Sequence, residues 1–151
     1  MYLRADPLHL ASIEHFLTRI VRGELTAYVS LLVVDELFYR LLLALIKEHT
    51  GRNPLNVLRE DLPGAISVYG PPITQAVHNL LTLPHFILVG TDPSDFTTML
   101  NNITQFGLLP RDALHVTLMQ RLQITQIASD DADFDRVARL ERYWIVNPPI
   151  T

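Results

Sequence analysis

The chain has 151 residues, 48% of them hydrophobic and 19% charged, which fits one domain burying roughly 68–70% of its unfolded surface and lies far from disorder. It has no cysteine, so disulfides, thiolate nucleophiles and Cys-ligated zinc or iron–sulfur centres are excluded. The net charge of −4, from 12 basic and 16 acidic residues, argues against broad electrostatic capture of nucleic acid, although a local arginine patch or a bound divalent ion can reverse the field at a site.

In chain order, Leu10, Ile13, Phe16, Leu17, Ile20 and Val21 recur at helical spacing and predict a helix from about Leu8 to Val21. Pro7 suits its start and Arg22-Gly23 its stop. A short extended piece, Ala27-Tyr28-Val29, follows. Ser30 then caps a second helix to about His49, ended by Gly51. Leu37, Leu41, Leu42, Leu43, Leu45 and Ile46 cover most of that helix, which implies packing on two sides or use in association. The apolar run Leu41–Ile46 is far short of the ~20 residues of a membrane span. Met1–Pro7 lacks a basic leader and an apolar stretch, so no signal peptide is expected.

Asn53-Pro54 opens a shorter helical stretch to about Leu62, and Pro63-Gly64 reads as a break. Ile66–Tyr69 reads as a short strand, with Pro71-Pro72 ahead of a helix over about Ile73–Leu81. Phe86–Val89 is a buried-strand run between Pro84 and Gly90. Asp92 or Ser94 caps the next helix, which Gly107 ends, and Pro110 introduces another to about Arg121. Gln126-Ile127-Ala128 and Tyr143–Val146 are the last strand candidates. Short strands alternating with helices indicate a single parallel-sheet α/β domain. In such a sheet chemistry belongs beyond the strands' carboxyl ends, which points to Ala128-Ser129-Asp130-Asp131 and Val89-Gly90-Thr91-Asp92.

The run Ser129-Asp130-Asp131-Ala132-Asp133-Phe134-Asp135 holds four of the 10 aspartates. Carboxylate oxygens suit Mg²⁺ or Mn²⁺, and crowded acids repel unless a cation offsets them. An EF-hand is excluded, since Arg136 and Arg142 stand where that loop needs Gly and Glu. The competing account is a helix start, with acids at the cap and Arg136 and Arg139 neutralising the exposed face. Asp112 is a first-turn acid with His115 on the same face. Glu36 pairs at i,i+4 with Arg40, yet a carboxylate amid so many leucines is uncommon unless paired or metal-bound, and either Asp35 or Glu36 must face the least apolar side. The six glycines form no phosphate loop, and neither HExxH nor GxSxG occurs.

The order of these acidic elements resembles a PIN domain, in particular the VapC-type toxin ribonucleases of toxin–antitoxin pairs. The resemblance rests on Ala5–His9, Ser30–Leu42 around Glu36, Pro110–His115 around Asp112, and Ser129–Asp135. It implies a three-layer α/β domain with a central parallel sheet flanked by helices, and Mg²⁺ or Mn²⁺ held by Glu36, Asp112 and Asp131. Asp133 would be an auxiliary acid, Ser129 a hydroxyl steadying the site, and Asp130 no ligand. The implied activity is hydrolysis of RNA phosphodiester bonds in the cytoplasm, with a cognate antitoxin as partner, a possible homodimer and no membrane. Arg111 or Arg136 could meet RNA phosphates.

The family's first acid sits in an Asp-x-Asn motif ahead of the segment that resembles Met1-Tyr2-Leu3. Asp6 belongs instead to the lead into the first helix. The expectation is therefore an N-terminally incomplete domain, lacking one central strand and one ligand, with weakened metal binding or activity. The alternative is a non-catalytic PIN-like protein acting through antitoxin or self-association.

Overall fold

The structure, a computed structural model, describes residues 7–143, with side chains from Ile13 onward. Asp6, and positions 144–146 of the expected last strand, lie outside the described residues. The architecture is α/β, with helices packed around small sheets. Two compact units can be distinguished, one built on Ile13–Leu88 and the other on Pro7–Ser12 and the chain from Val89.

Helix α1 (Pro7–Val21), whose part from Ile13 belongs to the first unit, leads to strand β1 (Ala27–Ser30) of that unit. Helix α2 (Leu31–Thr50) begins where Ser30, in extended conformation, accepts a bond from the Val33 N–H at 3.3 Å. It ends at Gly51, whose left-handed φ of 66° is readily reached only without a Cβ. The start and stop expected for this helix are those observed. Its apolar girth is taken up within the unit: Leu42 and Ile46 are buried, and Val34, Leu37, Phe38, Leu41 and Leu45 pack around them. The facing surface comes from helices α3 (Pro54–Glu60) and α4 (Leu62–Leu81). Strand β2 (Phe86–Val89) pairs with β1.

The main departure from the expected elements is α4. Ile66–Tyr69 is helical, and Pro71-Pro72 lie inside that helix instead of ahead of one. Asp61 caps its start by accepting the Gly64 N–H at 2.9 Å. A Cβ on Gly64 would fall 2.0 Å from Asp61 Oδ2, so Gly64 belongs to the cap and is no break. Two consecutive prolines cannot donate the helical bonds that would reach the Ser67 and Val68 carbonyls, a local cost. Against it stands a stripe at fourfold spacing, Ala65, Tyr69, Ile73 and Val77, all buried in one core with Leu42 and Ile46. Packing overrides the local β-preference of Ile66 and Val68.

In the second unit, helix α5 (Asp95–Phe106) packs along α6 (Pro110–Arg121). Their contact includes a polar knot: Asn102 Nδ2 donates to Thr117 Oγ1 at 2.9 Å and to Gln120 Oε1 at 3.0 Å. Thr117 in turn donates to the Ala113 carbonyl at 2.8 Å, so these buried groups are satisfied. Strands β3 (Gln126–Ala128) and β4 (Glu141–Tyr143) run parallel, with Ile127 opposite Arg142. A short 3-10 helix, Ala132–Arg136, lies on the crossover between them. The core here is Leu108, Ala113, Val116, Phe134 and Val137. Among the described residues no helix is long and apolar enough to cross a membrane.

Ile46 is fully buried at the meeting of α2 and α4. Ile46→Ala should therefore cost about 2–5 kcal/mol of stability, read as a lower urea midpoint at unchanged slope.

Candidate functional site

The densest polar chemistry lies where β3 ends. The Ser129 N–H donates to the Tyr143 carbonyl at 3.2 Å, prolonging the parallel pairing by one step. Ser129 Oγ accepts from the Asp131 N–H at 3.1 Å, and Asp131 Oδ1 accepts from the Asp133 N–H at 2.9 Å. Asp131 is thus the N-cap of the 3-10 helix, as the capping account of the run requires. Asp133 is paired with Arg136 at 2.8 Å, and the same guanidinium donates to the Gly107 carbonyl at 3.0 Å. Asp135 receives a two-pronged bond from Arg142, at 2.8 and 2.9 Å, while Arg142 Nη1 donates to the Ser129 carbonyl at 3.3 Å. Of the four aspartates, Asp130 and Asp131 have no ion-pair partner among the described residues. Asp131 is exposed.

The guanidinium of Arg142, bonded to Asp135, holds that carboxyl below the ordinary aspartate range. The same contact keeps Arg142 charged more firmly than a free arginine. A depressed carboxyl stabilises the fold fully above its unfolded value and stops doing so as pH falls through its folded value. This one lies on the surface, where screening keeps the contribution small.

Asp112 sits in the first turn of α6, after Pro110, and is half-buried; His115, one turn on, is also half-buried. Asp112, Ser129, Asp131 and Asp133 all belong to the second unit. Glu36 belongs to the first, on α2. There Glu36 Oε1 accepts from Arg40 Nε at 2.9 Å and from Arg40 Nη2, the i,i+4 pair expected of it. Of the neighbouring acids, Asp35 is exposed and Glu36 half-buried. Arg111 is exposed. Arg136 is paired with Asp133 and donates to the Gly107 carbonyl.

Two long-range features have no counterpart in the sequence reading. One is the Arg142 contact just described. The other is Asp95, only 4% exposed, which binds Arg121 Nε at 3.0 Å and accepts the Asp92 N–H at 2.7 Å. Arg121 also donates to the Gly90 carbonyl at 2.7 Å. Asp92, one of the two expected caps, accepts from the hydroxyl and N–H of the other, Ser94, which lower its pKa. The start of α5 is thereby tied to the end of α6. Acids in a first turn are too common for spacing alone to single this pair out.

The donor set of Glu36, Asp112, Asp131 and Asp133 is all carboxylate oxygen, the right chemistry for Mg²⁺ or Mn²⁺. Among the described residues, no group of three or more His, Asp or Glu side chains is assembled that could hold a metal ion. The profile of the PIN domain family matches residues 3–140. No curated protein matches the chain.

By carboxyl-carbon NMR, Asp135 should titrate below the ordinary value of ~3.9. In R142Q its midpoint should return toward that value. An unchanged midpoint would show that Arg142 does not set it.

Proposed function

The chain belongs to the PIN domain family, a nuclease family, and from that premise we propose that it is a Mg²⁺- or Mn²⁺-dependent endoribonuclease and the toxin of a toxin–antitoxin pair. The observation that carries this reading is the family match itself, which runs through both units and spans Glu36, Asp112 and Asp131. Glu36, Asp112 and Asp131 hold the metal, Asp133 assists, and Ser129 Oγ fixes the backbone at Asp131. The chemistry such an ion supplies is activation of water and stabilisation of charge at the scissile phosphate. The partners are an RNA substrate, a cognate antitoxin and a second copy of the chain, with the cytoplasm as the place of action.

What this chain's residues contribute is orientation and charge. Asp131 offers an exposed carboxylate with no arginine on it, at the carboxyl end of a parallel strand. Glu36 and Asp133 are each held by an arginine, so each must release or share that partner to reach a metal. Those two ion pairs favour a second reading, a non-catalytic PIN-like protein that works by binding antitoxin or itself.

The two readings separate in one assay. Mn²⁺-dependent cleavage of single-stranded RNA should be present in the wild type. Asp112→Asn and Asp131→Asn should each reduce it by more than the roughly 10–100-fold typical of outer-shell positions. Wild-type protein that neither cuts RNA nor binds Mn²⁺ saturably by calorimetry supports the binding-protein reading instead.

A further inference from the structure

Of the four buried polar or charged residues among those described, three, Asp95, Asn102 and Thr117, lie between α5 and α6. The two helices run in opposite directions. Asp95 at the start of α5 binds Arg121 at the end of α6, and Asn102, seven residues on, binds Thr117 and Gln120. Seven residues make about two helical turns, so Asp95 and Asn102 share one face of α5. Beside this polar seam the contact is apolar, with Met99, Ile103 and Phe106 packed on the core that holds Ala113 and Val116. Apolar burial has no direction and lets one helix slide along another. A pair of hydrogen-bonded groups does not.

Sliding α6 by one turn in one direction sets Asn102 against Ala113, which is fully buried and has no polar side chain. Sliding it either way carries Arg121 about 5.4 Å along the axis from Asp95. Both steps leave a buried amide or carboxylate without its partner, at the cost of that group's desolvation. The bonds also reach the first turn of α6. Thr117 Oγ1 accepts from Asn102 and donates to the Ala113 carbonyl, and Ala113 directly follows Asp112. We propose that Asn102 and Thr117 are positioning residues: their buried bond fixes the register of α6 on α5, and through it the place of the turn that carries Asp112. The work assigned to Asp112 rests on the nuclease reading above, whereas the register does not.

Three variants of the full chain separate positioning from stability. In N102L/T117V both buried polar groups give way to apolar ones of similar shape, and Gln120, which is exposed, turns to water. Replacing both partners in this way is close to neutral for stability. T117V removes the hydroxyl alone, and T117S keeps it. Each is compared with wild type by its urea midpoint, by the NMR signals of the Asp112 carboxyl carbon and the His115 ring at fixed pH, and by cleavage of single-stranded RNA with Mn²⁺.

N102L/T117V should keep the wild-type urea midpoint yet move the Asp112 and His115 signals. T117V should move them in the same sense, and T117S should leave them in place. The double variant should lose about 10²-fold in kcat, the scale of a misplacement of about 1 Å, with KM little changed. Wild-type signals in N102L/T117V overturn the proposal. So does a midpoint well below wild type, because the network then stabilises the pair without selecting its register. Signals that move while kcat does not remove Asp112 from the reaction and leave the register role standing. A wild type that cuts no RNA overturns the nuclease reading, and the NMR comparison still decides the register.

Discussion

Four aspartates crowded between β3 and β4 repel one another, and the local structure turns on how that charge is compensated. The chain places no lysine there; it uses arginines that also reach backbone carbonyls. Arg136 joins Asp133 to Gly107, at the end of α5, and Arg142 joins Asp135 to Ser129. Each guanidinium thus neutralises an acid and fixes a loop in one gesture, which a point charge would not do. The remaining charge is concentrated on Asp130 and Asp131. Part of the acid-rich turn's charge is thus compensated by guanidinium groups, which leaves the turn less self-repelling.

The helices were largely legible because their signals are local. Ser30 and Gly51 bound α2, and Gly107 and Pro110 separate α5 from α6, each through a side-chain or backbone preference acting within a few residues. Helix α4 was not legible for the same reason. Its local signals, Pro63-Gly64 and Pro71-Pro72, read as breaks, and Ile66–Tyr69 reads as strand. What decides it is the stripe Ala65, Tyr69, Ile73 and Val77 meeting α2, a fact about a partner surface distant in sequence. Helix propensity was outweighed by tertiary packing.

The candidate site divides along the same line. Asp131 as a cap follows from its place two residues before Asp133 and two after Ser129, both short-range relations. The pairing of Glu36 with Arg40 follows from helical spacing. The Asp135–Arg142 contact does not, because it depends on the parallel register that sets Arg142 opposite Ile127, and strands of three residues carry too little pattern to fix a register. The Asp95–Arg121 pair is equally remote in sequence. Residues that carry the acids were therefore readable, whereas residues that hold the acids in place were not.

The net charge also takes on a structural meaning. Arg19, Arg40, Arg52, Arg121, Arg136 and Arg142 are each bound to a carboxylate. Among the described residues, Arg22, Arg59 and Arg139 are exposed and outside any ion pair. The acid turn itself repels phosphate. On the proposed nuclease reading, a divalent ion held by these acids would offset that repulsion as well as supply the reaction chemistry.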